Sequence, residues 1–166
     1  MNSYIESNLI KAKPEYKITT DYGLSGIEIK YSEKMTLSED CDSSIQEGYR
    51  VVYSDEYSNW IPKNVFEKAY LKVEENQKLK SKVSISEQMV EDFIVDYDIS
   101  TKKDKITIVV ATLKNNFTIV ESAACVDPEN YSEEIGANIC KERIKNQVWN
   151  HLGFLLQTAH DGVNNQ

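Results

Sequence analysis

The chain has 166 residues and a mass of 19.0 kDa, enough for one medium domain or two small ones. Its apolar share of 40% supports a core, and no apolar run approaches the about 20 residues of a membrane helix. A formal net charge of −8 argues against general DNA or RNA binding, which needs a basic surface to displace counterions.

Taken in chain order, the N-terminal MNSYIESNLIKAK lacks a basic-then-apolar export signal, so a cytoplasmic address is expected. Tyr4 to Lys13 has mixed apolar character and reads as an opening strand. Gly26 to Tyr31 alternates apolar and polar residues, the mark of a half-buried strand. Glu33 to Glu47, rich in Ser, Asp and Glu, reads as a loop. Gly48 to Ser54 is a strand by its β-branched and aromatic content. Asp55 to Ser58 then turns the chain into Asn59-Trp60-Ile61, and Pro62 suits the first turn of a short helix to Tyr70. Val65, Phe66 and Tyr70 are its expected apolar stripe.

Lys72 to Lys82 is almost wholly polar and reads as a linker. Ser84 and Glu87 have the spacing of a capping box, predicting a helix to about Ile94 with Ile85, Met89 and Phe93 on one face. Val95–Ser100, Lys105–Leu113 and Phe117–Cys125 follow as strands. Polar reversals separate them, at Thr101–Asp104 and at Lys114-Asn115-Asn116, where Asn tolerates positive φ. Asp127-Pro128 ends this antiparallel meander. A long helix is predicted from near Ser132 to about Leu152, with Gly153 as its stop and Phe154 to Gln157 packing back. The expected class is therefore α+β. A small N-terminal α/β module (1–71) is followed by a polar linker (72–83). Residues 84–157 form an antiparallel meander on a long C-terminal helix, and 158–166 form a frayed tail.

The long helix carries two apolar stripes. Ile135, Ile139 and Trp149 share one side, while Ala137, Ile144 and Val148 point nearly opposite. One stripe suffices for a helix lying on one sheet. The second predicts either contact with another subunit or cover by the N-terminal segment. Between the stripes runs a narrow band of Gly136, Cys140, Arg143 and Gln147. Small residues beside a forked donor and an amide would let a flat, charged ligand approach; the alternative is a solvated Arg143 paired with a nearby Glu.

Charge is uneven: residues 1–83 carry 12 Lys and Arg against 14 Asp and Glu, and the remainder 7 against 13. Arg50 and Arg143 are the only arginines, so any bidentate grip on a phosphate falls to one of them. Cys41, Cys125 and Cys140 have no metal-ligand spacing and read as reduced thiols, with Cys125 a core residue in its strand. The two histidines, His151 and His160, stand in no nucleophile or zinc motif, and His151 reads as a cation near the helix terminus. Glu121 and Glu142 are the remaining candidate acid–base pair, with nothing to position them. The expectation is a protein that is not an enzyme, with no cofactor and no metal.

Leu113 to Gln157 resembles the small tailed-phage proteins of the gene 49/gene 66 family. The resemblance is carried by Asn116-Phe117-Thr118-Ile119-Val120-Glu121-Ser122, Cys125-Val126-Asp127-Pro128, Asn130-Tyr131, Gly136, Arg143-Ile144 and Trp149. The N-terminal segment also resembles a phage unit, through Gly48-Tyr49, Trp60 with Pro62, and Val65-Phe66-Glu67 with Ala69-Tyr70. The family resemblance implies a phage anti-defence protein, cytoplasmic in the infected bacterial host. Such a protein blocks Thoeris immunity by sequestering a cyclic ADP-ribose-type signal, with cyclic oligonucleotides as further ligands. It implies a homo-oligomer, dimer or hexamer, whose partner is a small anionic nucleotide, with no DNA, RNA or membrane. An acidic inhibitor that binds a host protein is the alternative. The ligand-binding residues it implies are Phe117, stacking on a base, and Arg143, gripping phosphate, together with Asp127 and Gln147. Gln147 stands where the family's second arginine is expected, which removes one charge from the pocket.

Overall fold

The computed structural model describes residues 8–35, 42–53, 56–74, 78–80 and 83–163. These divide into two compact units, residues 8–72 and residues 73–163.

The first unit is a four-stranded antiparallel sheet with one short helix. Its strands are β1 (Lys11–Asp21), β2 (Ile27–Ser32), β3 (Asp42–Val52) and β4 (Ser58–Pro62), in the order β2-β1-β3-β4. Helix α1 (Lys63–Ala69) follows, with Pro62 as its N-cap. The structure departs from the expected strands at β1 and β3, and β4 occupies Ser58–Pro62, where only a turn and a helix start were expected. β1 begins at Lys11 and runs to Asp21, whereas the expected strand ended at Lys13; its residues 4–7 lie outside the described set. β3 already starts at Asp42, inside the expected loop. Both stretches are polar, and neither announces itself locally. They are strands because eleven consecutive residues of β1 find partners in β3, from Lys11 opposite Val52 to Asp21 opposite Asp42.

Period-two alternation separates the faces of this sheet. Val51, Ile18 and Thr20 are buried on one. Tyr49, on that same face, stacks on Phe66 of α1 at 4.2 Å, and Phe66 stacks on Tyr70 at 4.6 Å. Val65, expected in the stripe, is exposed. On the other face the Trp60 indole lies over Gly48 and donates its N–H to the Glu15 carbonyl at 3.0 Å. Arg50 is ion-paired with Glu15 at 2.8 Å, and its guanidinium sits 4.4 Å from the Tyr31 ring centre.

The second unit opens with α2 (Glu87–Phe93), then β5 (Ile94–Lys102), β6 (Ile106–Leu113) and β7 (Thr118–Ala124) as a three-stranded antiparallel meander. A single 3-10 turn at Pro128–Asn130 leads into α3 (Glu133–Asp161). This is the α+β architecture the sequence predicts, with a long C-terminal helix packed on antiparallel strands. The cap of α2 is Ser86, not Ser84: the Ser86 hydroxyl accepts from the Met89 amide. Starting there turns Met89 and Val90 into the core.

α3 is longer than predicted. Gly153 lies inside the helix, which continues through residues 158–161 of the expected tail; the cap is Gly162, with φ +83°. Residues 154–157 are therefore helical and do not fold back. A mid-helix glycine costs only about 1 kcal/mol against alanine, which packing elsewhere along α3 offsets. A glycine at positive φ, by contrast, closes a helix end.

The core sits between β6, β7 and α3. Thr107, Val109, Ala111 and Leu113 alternate inward along β6. They meet Ala137, Cys140, Ile144, Val148 and Leu152, a stripe at spacings of three and four on α3. Of the two predicted stripes, this one is buried. Ile135, Ile139 and Trp149 are exposed. Cys140, and not Cys125, is the core cysteine: Cys125 is only partly buried, just past the end of β7.

Candidate functional site

The candidate site is the flank of α3 that overhangs β7. Arg143, Gln147 and His151 stand four residues apart, one above another along that flank. They span two turns, about 12 Å of helix rise. Among the described residues β7 is an edge strand, with no strand beyond its outer carbonyls. The Arg143 guanidinium donates to one of them, Ser122 O, at 3.0 Å.

Glu121, next along β7, turns its side chain inward beneath the helix. Its carboxylate lies 3.9 Å from the Arg143 guanidinium and accepts a hydrogen bond from the Gln147 amide. The Glu121 side chain is 21% exposed against 54% for Arg143. The carboxylate is thus tucked in while the guanidinium keeps its outer side open to water.

The line ends at an aromatic. The reversal after β6 is closed by Leu113 N–H donating to Phe117 O at 2.9 Å. Asn116 supplies the left-handed residue, with φ +63°, and the Asn115 side chain accepts from Phe117 N–H at 3.1 Å. This holds the Phe117 ring edge-on to His151, with centroids 5.8 Å apart, while leaving it 54% exposed. His151 is therefore not a terminal cation. It lies ten residues inside α3 and links Phe117 to the Arg143–Gln147 line. The sequence held the signal for this, because His151 continues the fourfold spacing of Arg143 and Gln147.

Asp127 lies past the opposite end of β7 from Phe117. Its carboxylate accepts from Glu129 N–H at 3.0 Å and caps the 3-10 turn. The fold thus brings Phe117, Gln147 and Arg143 onto one flank and uses Asp127 locally.

The small residues of the expected band do not open a seam. Gly136 and Cys140 are buried against β6, and the Cys140 thiol faces Thr107 O at 4.0 Å. Burial pushes that thiol above its usual range.

The neighbouring lysines of α3 do not join Arg143. Lys141 sits 5.1 Å from the Tyr97 ring centre, and Lys145 pairs with Glu91 at 2.9 Å. With Ile94, Asn138 and Glu142 they line a cleft of about 400 Å³ on the β5 side, the opposite edge of the sheet. Glu142 is therefore on the other flank from Glu121, and the two do not form an acid–base pair. Burial raises the Tyr97 phenol, and the Glu91 hydrogen bond raises the Lys145 ammonium.

The hallmark residues around α3 have structural roles too. The Tyr131 hydroxyl bonds to the hydroxyls of Thr101 at 2.7 Å and Thr107 at 2.9 Å. Thr101 also donates to Glu133. This node ties the start of α3 to β5 and β6. Among the described residues no His, Cys, Asp and Glu cluster is placed to hold a metal ion, and no helix is long and apolar enough to cross a membrane.

An antiparallel meander closed by one long helix, with an exposed donor-and-aromatic line along its edge, defines an α+β protein. The model of the phage protein (N4 Gp49/phage Sf6 gene 66) family matches residues 85–160. The match runs from just before α2 to the last turn of α3, a little under half of the chain, and over those residues the second unit is similar to that phage family. No curated protein and no solved structure matches the chain.

Proposed function

We propose that this protein is an anti-defence sponge that binds and sequesters a cyclic nucleotide-type immune signal, a cyclic ADP-ribose isomer, without cleaving it. One observation carries the reading: an exposed aromatic, Phe117, stands at the end of a line of hydrogen-bond donors headed by Arg143. A base stacked on an aromatic ring is worth about 1–3 kcal/mol. A charge-assisted bond from Arg143 to phosphate adds about 1.5–3 kcal/mol. Holding a ligand in this way breaks no bond and needs no general base.

A single open flank gives only weak affinity, so closure by a second copy is part of the reading. The exposed Ile135, Ile139 and Trp149 lie beside the donor line on α3 and suit such a homo-oligomer. The same apolar flank also favours a second reading, an inhibitor that docks on a host protein.

Calorimetry against cyclic ADP-ribose isomers and cyclic oligonucleotides tests the proposal, with mass spectrometry of the ligand recovered after heating. Heat, an unaltered ligand and loss of binding in Arg143→Ala are expected. Absence of heat across the whole panel overturns the reading. A stoichiometric host protein recovered in its place supports the alternative.

A further inference from the structure

We infer that Glu121 is a resident competitor for the anion in this site and sets its selectivity for pyrophosphate-bearing ligands over a lone phosphate group; the inference rests on the sponge reading above. Its carboxylate holds the Gln147 amide and lies 3.9 Å from the Arg143 guanidinium. These are the two side chains to which a ligand phosphate would bind. A carboxylate and a phosphate oxygen make the same demand on such donors. Because Glu121 belongs to β7, it is present at a fixed effective concentration in every molecule.

The geometry allows exchange rather than collapse. Arg143 is anchored separately, through Ser122 O at 3.0 Å, so it keeps its place when Glu121 lets go. The guanidinium has further N–H groups, and the side chain remains half exposed. A lone phosphate group arriving there meets the repulsion of Glu121 and gains little. A pyrophosphate, with two charged groups, can recruit both Arg143 and Gln147 from the carboxylate. Gln147 fits this arrangement better than a second arginine would, since an amide releases a carboxylate more readily than a guanidinium does. Glu121 acts through Arg143 and Gln147 and is a positioning residue.

The test is calorimetry on the full chain with cyclic ADP-ribose and inorganic phosphate as probes, using wild type, Glu121→Gln, Arg143→Ala and the double variant. Glu121→Gln keeps the side chain's size and the bond to Gln147. The expected result is about tenfold tighter cyclic ADP-ribose binding, with measurable phosphate binding gained, for the loss of one competing charge. The gain must vanish in the Arg143→Ala background, which a merely structural role for Glu121 would not produce. Wild type that binds, with Glu121→Gln equal or weaker, overturns this inference and leaves the sponge reading standing. Binding by Glu121→Gln alone supports the inference and removes the sponge reading for the natural chain. No binding by either overturns both.

Discussion

Gly136 of α3 lies directly on Thr107 of β6: a Cβ built on the glycine would stand 2.2 Å from the Thr107 hydroxyl oxygen and 2.7 Å from its Cβ. The helix approaches the sheet this closely because the glycine has no side chain, and Thr107 is fully buried beneath it. That contact fixes the height of α3 over the meander and hence the reach of Arg143 to β7.

Gly136→Ala should therefore destabilise the protein by about 1–3 kcal/mol through overpacking, although alanine is the better helix former. Gly153→Ala, on the same helix, meets nothing within 4 Å and should stabilise by about 0.5–1 kcal/mol. Urea denaturation of the two variants, read by helical circular dichroism, should show midpoints shifted in opposite directions.

Tyr131→Phe should cost about 1–3 kcal/mol, because it leaves the buried Thr107 hydroxyl without the Tyr131 partner it meets at 2.9 Å. Hydrogen exchange is the sensitive readout. Protection should fall first in the opening turns of α3, where the Tyr131 node ties the helix to the sheet.

In the first unit, Gly48→Ala should disturb Trp60 and the backbone of β4, because an added Cβ would also stand 2.5 Å from the Ile61 carbonyl oxygen. An added Cβ would stand 2.4 Å from the Trp60 ring, so the indole must lift and lose its bond to Glu15 O. Trp60 emission should shift to the red at a temperature where the far-ultraviolet dichroism of α3 is unchanged. Unchanged emission would show that the indole does not lie on Gly48.

Thiol chemistry should separate the two described cysteines. Burial raises the Cys140 pKa, so at pH 8 less of it is thiolate than of a free thiol, and the thiolate is the reactive form. Iodoacetamide at pH 8 should label partly exposed Cys125 at least about tenfold faster than Cys140, by peptide mass spectrometry. In denaturant the two rates should converge.

The meander was legible because its signals are local. Lys105–Leu113 is dense in β-branched and apolar residues, and the reversal at Lys114-Asn115-Asn116 has the residue types that a left-handed turn needs. Both apolar stripes of α3 were legible for the same reason, although which one meets the sheet was not. Gly153 misled because a glycine reads the same inside a helix as at its end; the difference is its φ, and the positive φ that closes α3 falls at Gly162. The capping-box spacing pointed to Ser84, but the cap is Ser86, and a helix starting there buries Met89 and Val90.

Phe117, Gln147 and Arg143 were visible as a set, yet their meeting point was not. Arg143 finds Glu121 twenty-two positions earlier in the chain, and only the packing of α3 across β7 brings the two together. Composition and periodicity settled the class, the strands of the meander and the two apolar stripes of the last helix, since these follow from each residue's own preference for water or core. Strand pairing in the polar first unit, the closure of the Gly136–Cys140 band and the carboxylate beneath the arginine depend on which distant atoms come within about 3–4 Å, the range over which hydrogen bonds and ion pairs act.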